Sequence, residues 1–340
     1  MDDIHRILEA IKHSSERSAL ATIIHVEGSA YRKEGTSMLF QESGAHIGVL
    51  SAGCLEVDLA ARMDEIFDEG TPCSLVFDMR AEDDLSWGQG AGCNGVIRVL
   101  LEPIDHNLRE HLGTLKRYLD SGMPVIVVKK LTPDLSVSDY VFITDHEQTF
   151  GEWQGEIPVQ LKHQQKSGME YIPELSSYSY IHRFWPKSRF IIFGAGMDAK
   201  PLASFAADTG FSVIVSDWRP ALCSSAHFPT ADMLLLGFPT EIMEKLVLTP
   251  FDSVIIMTHH FGRDKELLRW LMKKEVCYLG ILGPRKRTAR LLDGADLPHW
   301  IHSPVGLPIG AEGPEEIAIS ILADVISVLR QQGMKKAVSP

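Results

Sequence analysis

Residues 189 to 220, RFIIFGAGMDAKPLASFAADTGFSVIVSDWRP, constrain the fold more than any other stretch of the chain. An apolar segment runs into Gly194-Ala195-Gly196-Met197-Asp198-Ala199, and a helix-length segment follows. The order is strand, tight turn, helix. Gly194 can take backbone angles closed to other residues, Gly196 lets a diphosphate come close to the main chain, and Ala199 is small enough for a helix to lie on a sheet. A second strand, Phe211 to Ser216, leads to Asp217, at the distance downstream where a carboxylate meets the ribose hydroxyls of a dinucleotide. The glycine pattern alone is weak, but strand, helix, second strand and acid in register predict a nucleotide-binding turn. The competing reading is a tight helix-to-sheet turn in a fold that has lost its ligand.

With 340 residues and 45% hydrophobic content, the chain can bury a large core, and its length suggests two domains. A net charge of −12 argues against a nucleic-acid binder held by phosphate neutralisation. No apolar run approaches a membrane span, and the opening MDDIHRILEAI reads as an amphipathic helix rather than a signal peptide. A cytoplasmic protein is expected. The five cysteines are odd in number and widely spaced, so they predict neither a disulfide framework nor a C-x-x-C metal signature.

In the first half, Ile4, Ile7, Leu8 and Ile11 recur at helical spacing, and a strand is expected from Ala19 to Val26. The loop from Gly28 to Gly35 carries Arg32 and Lys33 and leads into a strand from Thr36 to Phe40. It could hold an anion on backbone amides and Arg32, or be an ordinary exposed hairpin. A short strand, Ile47 to Leu50, then passes through Ser51-Ala52-Gly53-Cys54-Leu55-Glu56 into a helix over Val57 to Asp68. Cys54 therefore stands near a helix start, where amide dipoles favour the thiolate, although buried cysteines are commonly small apolar fillers. A second cysteine, Cys93, lies in the glycine-rich run Gly88 to Gly95 before an apolar strand, Val96 to Leu101. A helix over Leu108 to Leu119 and a strand over Pro124 to Val128 follow. The text then turns polar, and the domain boundary is expected at 176–186, before Pro186 gives a rigid entry to the next strand.

In the second half, further strands are expected at Met233 to Leu236, Ser253 to Met257 and Val276 to Ile281, with helical patterns between them. That alternation predicts an α/β unit with a parallel sheet covered on both faces, whose ligands gather at the carboxyl ends of the strands. One such end carries Thr258-His259-His260, adjacent histidines that could be an acid-base group, a metal ligand or a hydrogen-bond clamp; without a third ligand at useful spacing, a polar loop near a cofactor is the expected role. Another runs into Gly283-Pro284-Arg285-Lys286-Arg287, either an anion cradle at a helix start or a solvated basic turn. Pro314, Glu315 and Glu316 suit the first turn of a closing helix.

Taken together, GSAYRKEGTSMLF, GVLSAGCLEVDLA, GCNGVIRVLLEP, the glycine turn, LGPRKRTARLL and PVGLPIGAEGPEEIAISILADVI resemble the XdhC/CoxI family, over residues 16 to 330 and in the family's order. The resemblance implies a C-terminal Rossmann-like parallel sheet (187–335) joined by a linker (176–186) to a smaller N-terminal α/β domain (1–175). It also implies an accessory factor, often a homodimer, that binds molybdenum cofactor (molybdopterin) and helps it receive sulfur from a cysteine desulfurase. The cofactor then passes to an apo xanthine dehydrogenase or a related molybdenum hydroxylase. On this chain the implied sulfur or molybdenum end falls to Cys54 and Cys93, beside Gly53 and Arg32. The implied nucleotide or pterin phosphate falls to Gly194, Gly196, Ala199 and Asp217, with Arg285, Lys286 and His260 nearby.

Two other functions use the same residues. A nicotinamide-dependent oxidoreductase would use the glycine turn, Asp217 and the loop at His260. There Asp217 favours a free ribose hydroxyl, and Arg219 could accommodate a phosphate. A methyltransferase would use the turn and the acid for an adenosine ribose, but nothing else in the chain resembles its pocket.

Overall fold

The helical recurrence of Ile4, Ile7, Leu8 and Ile11 is realised in α1 (Ile4–His13), where all four are buried. The structure, a computed structural model, describes residues 3–51, 53–80, 94–164 and 167–338. After α1 the chain forms β1 (Ser18–Ser29), β2 (Ser37–Gln41), β3 (His46–Ile47), α2 (Cys54–Ala61), α3 (Met63–Glu69), β4 (Cys73–Asp78) and β5 (Asn94–Pro103). The strands make an antiparallel sheet in the order β3-β2-β1-β5-β4. The helix expected over 57–68 starts earlier, at Cys54, and breaks at Arg62. The break lets Met63, Ile66 and Phe67 of the second piece join Leu55 and Leu59 in the core on that face of the sheet.

Next come α4 (His106–Asp120), β6 (Val125–Leu131), β7 (Val137–Thr144), β8 (Thr149–Glu152), β9 (Gly168–Ile172) and β10 (Ser177–Phe184). Asp105 caps α4 by accepting from the Leu108 amide at 2.7 Å, which satisfies a donor that the helix itself cannot. The five strands form a second antiparallel sheet, β8-β7-β6-β10-β9. The buried faces of α1 and α4 share one core with Leu20 and Leu39 of the first sheet and Val125, Val127, Phe142 and Phe184 of the second.

The expectation of a linker at 176–186 is corrected here, because Ser177–Phe184 is an interior strand paired on both edges. Its letters, SYSYIHRF, look polar, yet Ser179, Tyr180 and His182 are all buried. The rings supply the apolar surface: Tyr180 stacks on His182 with centroids 6.3 Å apart, and His182 meets Phe184 edge-on at 4.6 Å. The chain divides into compact units after this strand, between Pro186 and Lys187.

The second unit contains β11 (Arg189–Phe193), α5 (Ala199–Asp208), β12 (Ser212–Asp217), β13 (Met233–Leu236), α6 (Pro239–Lys245) and β14 (Ser253–Ile256). It continues through α7 (Phe261–Leu271), β15 (Tyr278–Ile281), α8 (Arg285–Leu291), β16 (Ile301–His302) and α9 (Gly313–Val338). All strands run parallel, in the order β13-β12-β11-β14-β15-β16. On one face α5 and α9 bury Ala199, Leu202, Ile321 and Val325, and on the other α6, α7 and α8 bury Ile242, Leu268 and Leu291. The near-continuous apolar strands β11, β12, β14 and β15, buried on both faces, explain why the parallel unit is the more legible half of the sequence. Strand order reverses between β11 and β14, which opens a crevice at their carboxyl ends. Among the described residues, no helix is long and apolar enough to cross a membrane.

Candidate functional site

The crevice is built on the glycine turn between β11 and α5. Gly194 has φ +121°, and a Cβ there would lie 2.4 Å from the Met257 carbonyl oxygen at the end of β14. Only glycine permits both the angle and the approach of the two strand ends. At Gly196 a Cβ would come 2.7 Å from Asp198 Oδ1, and Ala199 is fully buried at the start of α5. Gly194 thus makes the tight turn and Ala199 the close helix-to-sheet packing.

Asp217 is placed differently from its expected role. At the end of β12 its carboxylate is buried, and Oδ2 accepts from the Ala195 amide at 2.7 Å and from Arg219 Nη2 at 2.7 Å. Oδ1 accepts from the amide and from Nε of Arg219, both at 2.9 Å. Burial pushes this carboxyl up, but the bonds from Arg219 and Ala195 prevail and hold it below the usual carboxylate range. The acid that would meet ribose hydroxyls is thus engaged inside the protein, where it ties β12 to the glycine turn. The Arg219 guanidinium also lies over the Trp218 ring at 4.7 Å.

The β14 end carries a second pairing. His259, at φ +58°, turns its ring toward the glycine turn, and its Nε2 lies 2.6 Å from Asp198 Oδ2. Asp198 stands at the N-cap of α5 but makes no capping bond with its side chain. His260 caps α7 instead, its Nδ1 accepting from the Arg263 amide at 3.3 Å, and its ring meets Trp218 edge-on at 5.8 Å. The ring of His260 is thus engaged at the helix start, where it satisfies an amide that α7 itself cannot. A small cleft lined by Ser216, Asp217, Trp218, Gly237, Pro239 and Thr258 opens beside these residues.

The basic turn after β15 is mostly committed to the fold. Arg285 Nε donates to the Ser303 carbonyl at 3.1 Å, and Arg287 Nη2 donates to the buried Asp264 at 2.5 Å. Lys286 is exposed at the start of the seven-residue helix α8. Arg285 and Lys286 therefore stand at the same edge of the sheet as the glycine turn, but one of the two is held by a main-chain oxygen.

In the N-terminal unit, Gly53 caps α2 in the left-handed region at φ +119°, and Cys54 is the first residue of that helix. Glu56 reaches back to accept from the amides of Leu50 at 2.9 Å and Ser51 at 2.7 Å, while Ser51 Oγ accepts from the amides of Gly53 and Leu55, each at 3.1 Å. The Gly-Cys-Leu-Glu segment is thus a fixed turn, and Glu56 is the residue that fixes it, a role that sequence reasoning missed. Arg32 is half-buried, with Nη2 3.8 Å from Asp3 Oδ2 and its guanidinium 5.8 Å from the Tyr31 ring. Cys93, the other thiol that the family resemblance implies, lies outside the described residues. Cys223 and Cys277 are buried and Cys73 is half-buried; burial pushes the Cys73 and Cys223 thiols up, which suits structural rather than reactive cysteines. Among the described residues no group of three or more His, Cys, Asp or Glu side chains gathers as a metal site.

Trp218, Arg263 and Asp198 are residues of this mouth to which the sequence assigns no role, whereas Arg219, just past the acid, and His259, beside His260, carry a signal in it.

The sheet order, the switch point and the glycine turn define the C-terminal unit as a Rossmann domain. A model of the XdhC Rossmann domain matches residues 190–325, the XdhC and CoxI family model matches residues 12–78, and a BH1974-like central domain matches residues 106–185. A probable xanthine dehydrogenase subunit of Bacillus subtilis (strain 168) is 44% identical over 97% of this chain and 99% of its own length. The molybdenum cofactor insertion chaperone PaoD of Escherichia coli (strain K12) is 26% identical over 96% of this chain and 88% of its own. The crystal structure of BH1974 from Bacillus halodurans, described as a xanthine dehydrogenase, superposes with a TM-score of 0.89 at 47% identity, over 100% of this chain and 98% of that one. The chain belongs to the XdhC and CoxI family.

Proposed function

We propose that this protein is an accessory factor for a xanthine dehydrogenase-type molybdenum hydroxylase, one that binds molybdenum cofactor and assists its sulfuration and insertion. The observation that carries the reading is likeness over nearly the whole chain to a cofactor insertion chaperone and to a probable component of xanthine dehydrogenase. The glycine turn supports it: a Gly-x-Gly turn that enters a helix at the carboxyl edge of a parallel sheet, here at the start of α5, suits a phosphate, the charged end of molybdopterin. When bound, the cofactor supplies the molybdenum centre that the hydroxylase needs. The chain's own residues hold its phosphate with main-chain nitrogens and offer thiols at Cys54 and Cys93 for the sulfur end. The partners in this reading are the apo-hydroxylase and a cysteine desulfurase, and the factor acts as a homodimer in the cytoplasm, with no turnover of its own.

Protein purified from cells that make the cofactor should release molybdopterin on denaturation. Cys54→Ala and Cys93→Ala should each weaken reconstitution of the apo-hydroxylase while far-UV circular dichroism and melting stay unchanged. Unchanged delivery by both variants removes the thiols from the mechanism. Protein that neither carries nor accepts molybdopterin ends the proposal.

A further inference from the structure

The four bonds that Asp217 accepts leave it nothing to offer a ribose hydroxyl. Each of its oxygens already takes two donors, and its side chain is fully covered, whereas Arg219 keeps 39% of its side chain exposed. The guanidinium meets the carboxylate through Nε and one hydrogen of Nη2. Both hydrogens of Nη1 and the second of Nη2 remain, and they form the end of the fork that matches two oxygens of a phosphate. Asp217 below and the Trp218 ring at 4.7 Å hold that fork in place, so little side-chain freedom is lost when it binds. A second guanidinium, that of Arg263, stands 5.9 Å from the same ring and 4.5 Å over Phe238, with only its Nη1 donating to Glu266, at 3.0 Å. Asp217 pairs with Arg219 and Glu266 with Arg263, while the Glu241 carboxylate, beside the cleft, accepts from the Phe238 amide at 2.9 Å. The cleft floored by Ser216, Trp218 and Gly237 lies alongside.

Position decides which phosphate. In a parallel sheet of this order the diphosphate of a nucleotide lies at the first glycine turn, and the sugar lies at the end of the adjacent strand. Here that strand is β12, and the pinned guanidinium stands just past it. We propose that Arg219, held by Asp217, is a specificity-determining residue that recognises a phosphate carried on the ribose, so that the mouth takes a ribose-phosphorylated nucleotide in preference to one with a free sugar. This rests on the glycine turn being a nucleotide seat and is independent of the molybdenum part of the proposed function.

The test compares adenosine 2′,5′-bisphosphate with adenosine 5′-monophosphate by isothermal titration to the full-length protein, since the two differ only in the sugar phosphate. The bisphosphate should bind about tenfold tighter or more, as a new bidentate charged contact requires. Arg219→Met should bring the two within about twofold of each other and leave the monophosphate affinity in place. Because that variant strands a buried carboxylate, the double variant Asp217→Asn with Arg219→Met provides a second arm with no buried charge, and it should lose the preference equally. Equal binding of the two nucleotides by the unaltered protein, a preference that survives in both variants, or no binding of either nucleotide would overturn the proposal. Molybdopterin content, measured on the same preparations, separates the two ideas. Protein with the nucleotide preference but no molybdopterin counts against the accessory-factor reading alone, and protein with molybdopterin but no preference counts against this one alone.

Discussion

Among single residues, Gly194 and Gly53 share a backbone angle near +120° but differ in their surroundings. A Cβ at Gly194 would meet the Met257 carbonyl at 2.4 Å, whereas among the described residues nothing lies within 4 Å of one at Gly53. Gly53→Ala should therefore cost only the left-handed backbone strain, about 1–2 kcal/mol. Gly194→Ala adds a clash with main chain that cannot move away, and should cost about 3 kcal/mol or more, read as the difference in urea midpoints. His182 offers a second residue-scale check. Burial, aided by the neighbouring Lys129 charge, lowers its pKa from 6.5 to about 4. The unfolded chain then binds the proton more readily than the folded one, so this residue's contribution is intact above pH 6.5 and is lost as pH falls toward about 4. Chemical denaturation at stepped pH should show a decline of up to roughly 3 kcal/mol across that window from this group, and His182→Gln should flatten it. The glycines are legible in the sequence because a tight turn selects them by backbone angle. The bonding of Asp217 is not, since Arg219 folds back only after the chain turns at the end of β12, and no periodicity encodes that.

At the scale of elements, the short turn into α2 shows how one side chain sets a helix start. Glu56 holds the amides of Leu50 and Ser51, and the bonds from Ser51 and Leu50 outweigh burial to keep its carboxyl below the usual range. Glu56→Ala leaves those donors unpaired and should lower stability by about 2 kcal/mol, seen as a drop in Tm. If Cys54 acts from that helix start, the same variant should also lose cofactor delivery at temperatures where it remains folded. Elements with strong apolar runs are legible to within a few residues: β12, expected over 211–216, spans Ser212–Asp217, and β13 lies where it is expected. The strands β7, β8, β9 and β10 escape a pattern search. Edge strands such as β8 and β9 keep exposed polar faces, and β10 hides buried serine, tyrosine and histidine in a sequence that reads as loop. Pairing on both edges satisfies the backbone there, and no local pattern announces it.

For the molecule as a whole, the two units each possess a core of their own. The C-terminal unit buries residues on both faces of its sheet without drawing on the first. A fragment beginning at Lys187 should therefore fold alone, with a cooperative thermal transition and the far-UV spectrum of a mixed α/β protein. A fragment that stays unfolded would show that the halves depend on each other. The parallel half is legible because its strands are buried on both faces and alternate with helices. The antiparallel half is less so, because its two sheets share helices and its strands alternate in polarity. The bond from the Ala195 amide to Asp217 carries one further consequence. It fastens the mouth of the parallel sheet from within, through the protein's own groups, so the shape of the seat is set by the fold rather than by a guest. Little ordering entropy is left to lose, and encounter rather than rearrangement should set the speed of capture.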